Sequence, residues 1–237
     1  MASSGTYGYS LSNGEAVLAA FERCQLRAPS IRQEHMVSAR RELNGLFVEM
    51  SNRQVNLWKV ELVSTTLVQG TTTYTVDPSV VMILDAYRTL NNGQSNQTDI
   101  YITPISRTEY ATYSAKNTQG PPIAYWFDRL IAPTITLWPV PDGGGPYTLN
   151  YYACQQQQDA NLAGGETPDL PYRWLDVLVA GLAHRLARIY PPQGIDPMAF
   201  LAARKADYDE AWRYAGEQDT EAVPIKIAPN IRSYYPH

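Results

Sequence analysis

The 237-residue chain reads as an α+β protein: a four-helix bundle drawn from both chain ends, an inserted, mostly antiparallel β-sheet or sandwich domain, and an extended C-terminal tail. Three observations predict this. Apolar residues recur at helical spacing up to about residue 54 and again from 171 to 216, the signature of helices that bury one stripe. Between 55 and 154 the period changes to strict alternation, which a half-buried strand requires. After Gly216 neither period survives. The expected division is therefore 1–54, 55–154, 155–216 and a tail over 217–237.

The elements follow in order. Ser12-Asn13-Gly14-Glu15 fits a capping box, opening a helix to about Leu26 with Val17, Phe21 and Cys24 on its buried stripe. Ala28-Pro29 breaks it, and Ser30-Ile31-Arg32-Gln33 offers a second box for a helix to about Arg53. Its stripe is Met36, Ala39, Leu43, Leu46, Phe47 and Met50, with Arg32, Arg40, Arg41 and Arg53 mostly on the other side. Glu49 and Arg53 stand at ion-pair spacing. Strands are expected from Val55 through Leu62, over Thr71 to Val76, Val80 to Leu90, Asp99 to Thr103 and Ile123 to Asp128, with a helix over Arg107 to Ser114.

The two clearest alternating runs are Thr134 to Trp138 and Tyr147 to Tyr151, joined by Pro139-Val140-Pro141-Asp142-Gly143-Gly144-Gly145-Pro146. They predict a β-hairpin with a long tip whose glycines supply positive φ values. Leu175, Leu178, Leu182, Leu186 and Ile189 then mark a helix between Pro171 and Tyr190. Ala180, Gly181 and Ala183 leave room there for a close neighbour. Asp196-Pro197 caps a last helix carrying Leu201, Tyr208, Trp212 and Ala215.

Composition narrows the function. A net charge of −4 argues against simple electrostatic binding of nucleic acid. Seventeen tyrosines against four phenylalanines suit half-buried and contact positions, because tyrosine keeps a polar handle on an apolar ring. Cys24 and Cys154 lack metal-ligand spacing and read as small buried hydrophobes. The N-terminal stretch has no basic segment and no apolar run, so no signal peptide is expected, and no stretch is long enough to span a membrane. Folding in a cytosol follows as an expectation.

The sequence lacks an assembled catalytic constellation. His35 and His184 lie in helices without a second histidine at zinc spacing, and His237 is on the tail. There is no nucleophile elbow or phosphate loop. Asp207, Asp209 and Glu210 sit near Arg204 and Lys205 as a solvated helix face would. Glu166 and Asp169 are a conceivable carboxylate pair, but Asp169 is placed to cap the following helix. Tyr125, Trp126, Trp138, Tyr147, Tyr151 and Tyr152 crowd the last strands with only Arg129 near, which favours core and subunit interface over base stacking. No cofactor, metal or catalytic residue is expected.

The N-terminal helix pair running into Asn56-Leu57-Trp58-Lys59-Val60, then Gln69 to Val76, Gly120 to Tyr125, Thr136 to Asp142, and Pro168-Asp169-Leu170-Pro171-Tyr172-Arg173-Trp174-Leu175-Asp176 opening a helix, form a specific combination. Together they resemble the head-to-tail adaptors of short-tailed bacteriophages, the tail tubular protein A and tail accessory factor group. The resemblance spans roughly Glu15 to Gly216. It implies a podovirus virion protein without catalytic residues, assembled in the host cytoplasm. Such a protein forms a homo-oligomeric ring, a dodecamer of about twelve copies, between the portal protein and the tail nozzle protein. Viral DNA passes through the ring at ejection without sequence-specific binding, and no membrane is involved.

The tail carries the expected partner-binding residues. Val223, Ile225, Ile227, Ile231, Tyr234 and Tyr235 are read as contacts to portal or to a neighbouring subunit. Ile225 and Ile227 suit strand addition to a sheet edge, and Tyr234 and Tyr235 suit anchoring pockets. The alternatives are a cell-wall-degrading glycosidase using Glu166 or Asp169, and a connector of long-tailed phages.

Overall fold

A computed structural model of the chain describes residues 5–6, 8–53, 57–161 and 165–219. Among these it has five α-helices and eight strands. The helices are α1 (Asn13–Arg23), α2 (Gln33–Arg53), α3 (Arg107–Thr112), α4 (Leu175–Ile189) and α5 (Pro197–Gln218). The strands are β1 (Val60–Thr66), β2 (Thr73–Thr75), β3 (Val80–Leu90), β4 (Thr98–Tyr101), β5 (Thr103–Pro104), β6 (Ala124–Asp128), β7 (Thr134–Trp138) and β8 (Tyr147–Gln155). No described helix is long and apolar enough to cross a membrane.

The helix starts follow their caps. The box at the head of α1 forms as read: Ser12 Oγ accepts the Glu15 amide at 3.2 Å, and the Glu15 carboxylate accepts the Ser12 amide at 2.8 Å. The second expected box does not form. Ser30 is spent in a 3₁₀ turn, Ala28–Ser30, and α2 begins two residues later than that box requires. His35 caps it instead, its Nδ1 accepting the Arg32 amide at 2.8 Å. At the head of α5, the Asp196 carboxylate accepts the Met198 amide at 3.1 Å, with Pro197 in the first turn, where a missing amide costs nothing.

One apolar core joins α1, α2, α4 and α5. It is not an even four-way bundle. Helix α4 is its hub, buried on nearly every side, and the other three pack chiefly on it. The smallest hub residue sets the approach: a Cβ on Gly181 would lie 2.8 Å from Tyr208 Cε2 and 2.9 Å from Leu46 Cδ1. Polar pairs lock the same crossings. Arg185 on α4 reaches Glu49 at 2.7 Å and Glu42 at 3.4 Å on α2, and Arg23 on α1 meets Asp176 on α4 at 2.6 Å.

The strands form two four-stranded sheets, ordered β1-β8-β3-β4 and β2-β7-β6-β5. All pairs are antiparallel except β5 with β6. Ala86, Leu149, Tyr151 and Ala153 of the first sheet share a second core with Tyr125, Ile135 and Leu137 of the other. The expected β7–β8 hairpin is therefore wrong. β7 zips onto β6 across the short Arg129–Pro133 connection, whereas β8 lies in the other sheet between β1 and β3. The eight residues Pro139 to Pro146 carry three prolines that cannot hold a hairpin ladder, and they cross from sheet to sheet. Their glycines do not adopt positive φ. Gly145 is needed for clearance, since a Cβ there would lie 2.7 Å from the Tyr147 amide nitrogen.

Candidate interaction site

The helical core and the sandwich meet at an aromatic junction. Lys59 follows Trp58 directly into β1, and Trp174 directly precedes α4. Their rings stand 5.2 Å apart at centroid, and Trp212 of α5 closes on Trp174 at 5.1 Å. Arg53, at the C-terminal end of α2, lies 4.7 Å over the Trp212 ring and 5.1 Å over Tyr208, a favourable placement of a cation on an electron-rich face. Across the same seam Lys59 Nζ meets Asp169 at 2.5 Å. Asp169 thus joins the two halves and does not cap a helix as the sequence reading had it. The residues before α4 form a 3₁₀ turn, Tyr172–Trp174, with no side-chain cap.

This junction also fixes the point from which the tail leaves. Asp219 ends α5, and its side chain is only 3% exposed. Arg173 clasps the carboxylate, Nε donating to Oδ1 at 3.1 Å and Nη2 donating to the same oxygen. The Arg173 guanidinium lies 6.0 Å from the Trp58 ring centroid. The tail root is thereby held beside the residues that enter β1. Val223, Ile225, Ile227, Ile231, Tyr234 and Tyr235 themselves lie outside the described residues.

Strand β1 is an open edge of its sheet, with no described strand beyond it. Its hydrogen-bond phase is fixed by the Leu67 amide, which donates to the Tyr147 carbonyl at 2.9 Å. Bonded and non-bonded pairs alternate in an antiparallel ladder, so the odd-numbered residues 61, 63 and 65 point their backbone groups toward β8. Leu62, Ser64 and Thr66 point theirs outward, and all three are exposed. The side chains divide differently. Val63 and Thr65 lie on the core face opposite Tyr151 and Leu149, whereas Leu62 pairs with the exposed Tyr152 on the outer face.

That outer face is polar and aromatic. Ser64 Oγ donates to Asn150 Oδ1 at 2.5 Å, Asn150 Nδ2 donates to Thr89 Oγ1 at 2.7 Å, and Thr89 Oγ1 donates to Asp99 at 2.6 Å. This relay crosses all four strands of the sheet. Tyr152 and Tyr101 remain 41% and 57% exposed beside it, whereas Tyr125, Tyr147 and Tyr151 are buried. Burial pushes the Tyr125 hydroxyl up to about 12, so it stays neutral in the core. Of the aromatic residues crowded on the last strands, Tyr125, Tyr147 and Tyr151 are thus core rings, Trp126 and Trp138 are half-buried, and Tyr152 faces outward.

Other buried titratable groups are set by packing and ion pairs. Burial opposes ionisation of Glu49, but the Arg185 hydrogen bond and the Arg53 and Arg185 charges outweigh it and hold the carboxyl below its ordinary value. Burial and the Arg188 charge lower His184, which stacks near Tyr208. Cys24 is raised to about 11 by burial, an unreactive thiol, and Cys154 is likewise buried. Arg204 pairs with Asp207 at 3.0 Å, and no group of three potential metal ligands occurs among the described residues. Glu166 and Asp169 together border a recess of about 180 Å³, below the roughly 300–1,000 Å³ of small-ligand pockets. Asp169, without Glu166, borders a second recess of about 580 Å³ beside Trp58 and Pro168. Asp169 is also engaged by Lys59.

A family model, described as SU10 adaptor protein, matches residues 34–229. The chain belongs to the SU10 adaptor protein family. The match runs from the first turn of α2, through both sheets and the junction, to beyond the tail root. It bears out the resemblance to phage head-to-tail adaptors drawn from the sequence. No curated protein matches the chain. Trp58 and Pro168 to Asp176 carry part of that resemblance. The structure places them at the seam beside Asp219, the last described residue.

Proposed function

We propose that the adaptor is a structural virion component that forms a closed ring between portal and tail nozzle and prolongs the DNA channel. The observation that carries this reading is the family match over both the helical core and the sandwich. A ring needs two different complementary surfaces on each subunit. This chain offers an outward basic face on α2, where Arg40 and Arg41 are exposed beside the exposed Val37 and Val48. It offers an outward acidic stretch on α5, where Asp207, Asp209 and Glu210 are exposed. A net charge of −4 suits a passage through which DNA slides, because clustered cations would retain phosphates.

In this reading the arm after Asp219 fastens the ring to its neighbour in the neck. Ile231, Tyr234 and Tyr235 supply the anchors, aromatic residues being the usual hot spots of such contacts. Electron microscopy of the purified adaptor mixed with portal tests the proposal. The expected image is a ring of about twelve adaptors seated on the portal, with isolated adaptor monomeric or weakly associated. A stable symmetric dimer that ignores portal would overturn it.

A further inference from the structure

We infer that residues 223–227 of the arm add to the chain's own β1 as a further strand of its sheet, leaving only the distal arm to reach a partner. The occupant is named by where the described chain stops. Asp219 is clasped by Arg173, whose guanidinium lies over Trp58, two residues before β1 begins. An arm leaving that point along the open edge runs in the same direction as β1 itself.

Direction decides which face each side chain takes. In a parallel pair the residues that bond sideways stand opposite residues whose own amides point the other way. The outward amides and carbonyls of β1 are those of Leu62, Ser64 and Thr66. Arm residues 223, 225 and 227 would bond to them, and Ile225 and Ile227 would come to lie beside Val63 and Thr65. Both of those are half-buried, and Val63 packs against the second core, so the isoleucines extend that core at its open side. Pro224 and Lys226 then turn their backbones to solvent. A missing amide costs nothing there, and proline and lysine on an outer edge discourage further pairing. The alternation Val-Pro-Ile-Lys-Ile fits this edge position by position.

The sequence reading offered these residues to a neighbour's edge; the anchored root assigns them to the edge beside it. The ten residues from 228 onward would start near Thr66 with a reach of roughly 30 Å, carrying Ile231, Tyr234 and Tyr235 beyond the sandwich. The inference rests on the adaptor reading only for the use of that distal half.

Amide hydrogen exchange on the intact chain and on a chain ending at Asp219 tests it without portal. The amides of Leu62, Ser64 and Thr66 should exchange at least about tenfold more slowly in the intact chain, corresponding to roughly 1.4 kcal/mol, and dilution should not change this. Ile225→Pro, which removes an inward donor, should abolish the protection. Lys226→Pro, which removes an outward one, should keep it. Equal exchange in the two chains, equal effects of the two prolines, or protection that vanishes on dilution would each overturn the inference. Failure of the adaptor reading would show separately, as an intact chain that exchanges as expected yet never attaches to portal.

Discussion

The helical core and the sandwich solve the same burial problem to different degrees. Helix α4 is enclosed by three partners, with Leu178, Leu182 and Leu186 fully buried. The sandwich also has a core, but β1 leaves a row of outward backbone groups and half-buried side chains at one edge. The first region is closed by its own packing. The second is a surface still able to accept a strand. In the proposed neck role this division is useful, because a rigid body then carries an adaptable edge.

The sharpest way to break the comparison is to truncate each region. Leu182→Ala and Leu43→Ala, both at zero exposure, should each lower unfolding free energy by about 2–5 kcal/mol in denaturant titrations. Leu62→Ala, 45% exposed on the open sheet, should change it by no more than about 0.5 kcal/mol. Similar costs at all three would show that the two regions do not differ as described. The glycines give a smaller contrast. Gly181→Ala forces a methyl against Tyr208 and Leu46 and should cost about 1–3 kcal/mol. Gly14→Ala, with no atom within 4 Å of its added Cβ, should leave the melting temperature unchanged or raised.

Local signals left some features readable and hid others. The Ser12 box, the stripes of α1 and α2, most of that of α4, the close approach at Gly181 and the Asp196 cap were legible, because each depends on residues within one or two turns. Ile189, expected on the α4 stripe, is instead 38% exposed. Ser12→Ala should accordingly cost about 1 kcal/mol by thermal unfolding. The β7–β8 hairpin misled because alternation marks a strand without naming its partner. Only the short β6–β7 connection and the three prolines between β7 and β8 point away from that pairing. Asp169 looked like a cap because its partner, Lys59, is 110 residues away. The Arg173 clasp on Asp219 was invisible for the same reason, and with it the point where the arm starts.

The smallest expected effect is electrostatic. The depressed Glu49 carboxyl contributes stability that is fully present above its ordinary value of 4.5 and lost as pH falls through the lower folded value. His184 acts in the same sense over a higher range. Its folded value lies below the ordinary 6.5, so acidification below 6.5 favours the unfolded chain. Chemical unfolding from pH 7 to 3 should show the wild type losing its advantage over Glu49→Gln below pH 4.5. A difference that grew on acidification would contradict the role given to the Arg185 and Arg53 contacts.

The most direct test of the adaptor assignment is attachment to portal by the intact chain and by one ending at Asp219. The cut spares α5 and the Arg173 clasp and removes only the proposed edge strand and the distal arm, so the shortened chain should remain folded, with its melting temperature lowered by about 3–6 °C. The intact chain should sediment with portal as a ring, and the shortened one should remain unattached. A shortened chain that binds portal as tightly as the intact one would contradict the claim that the arm fastens the ring.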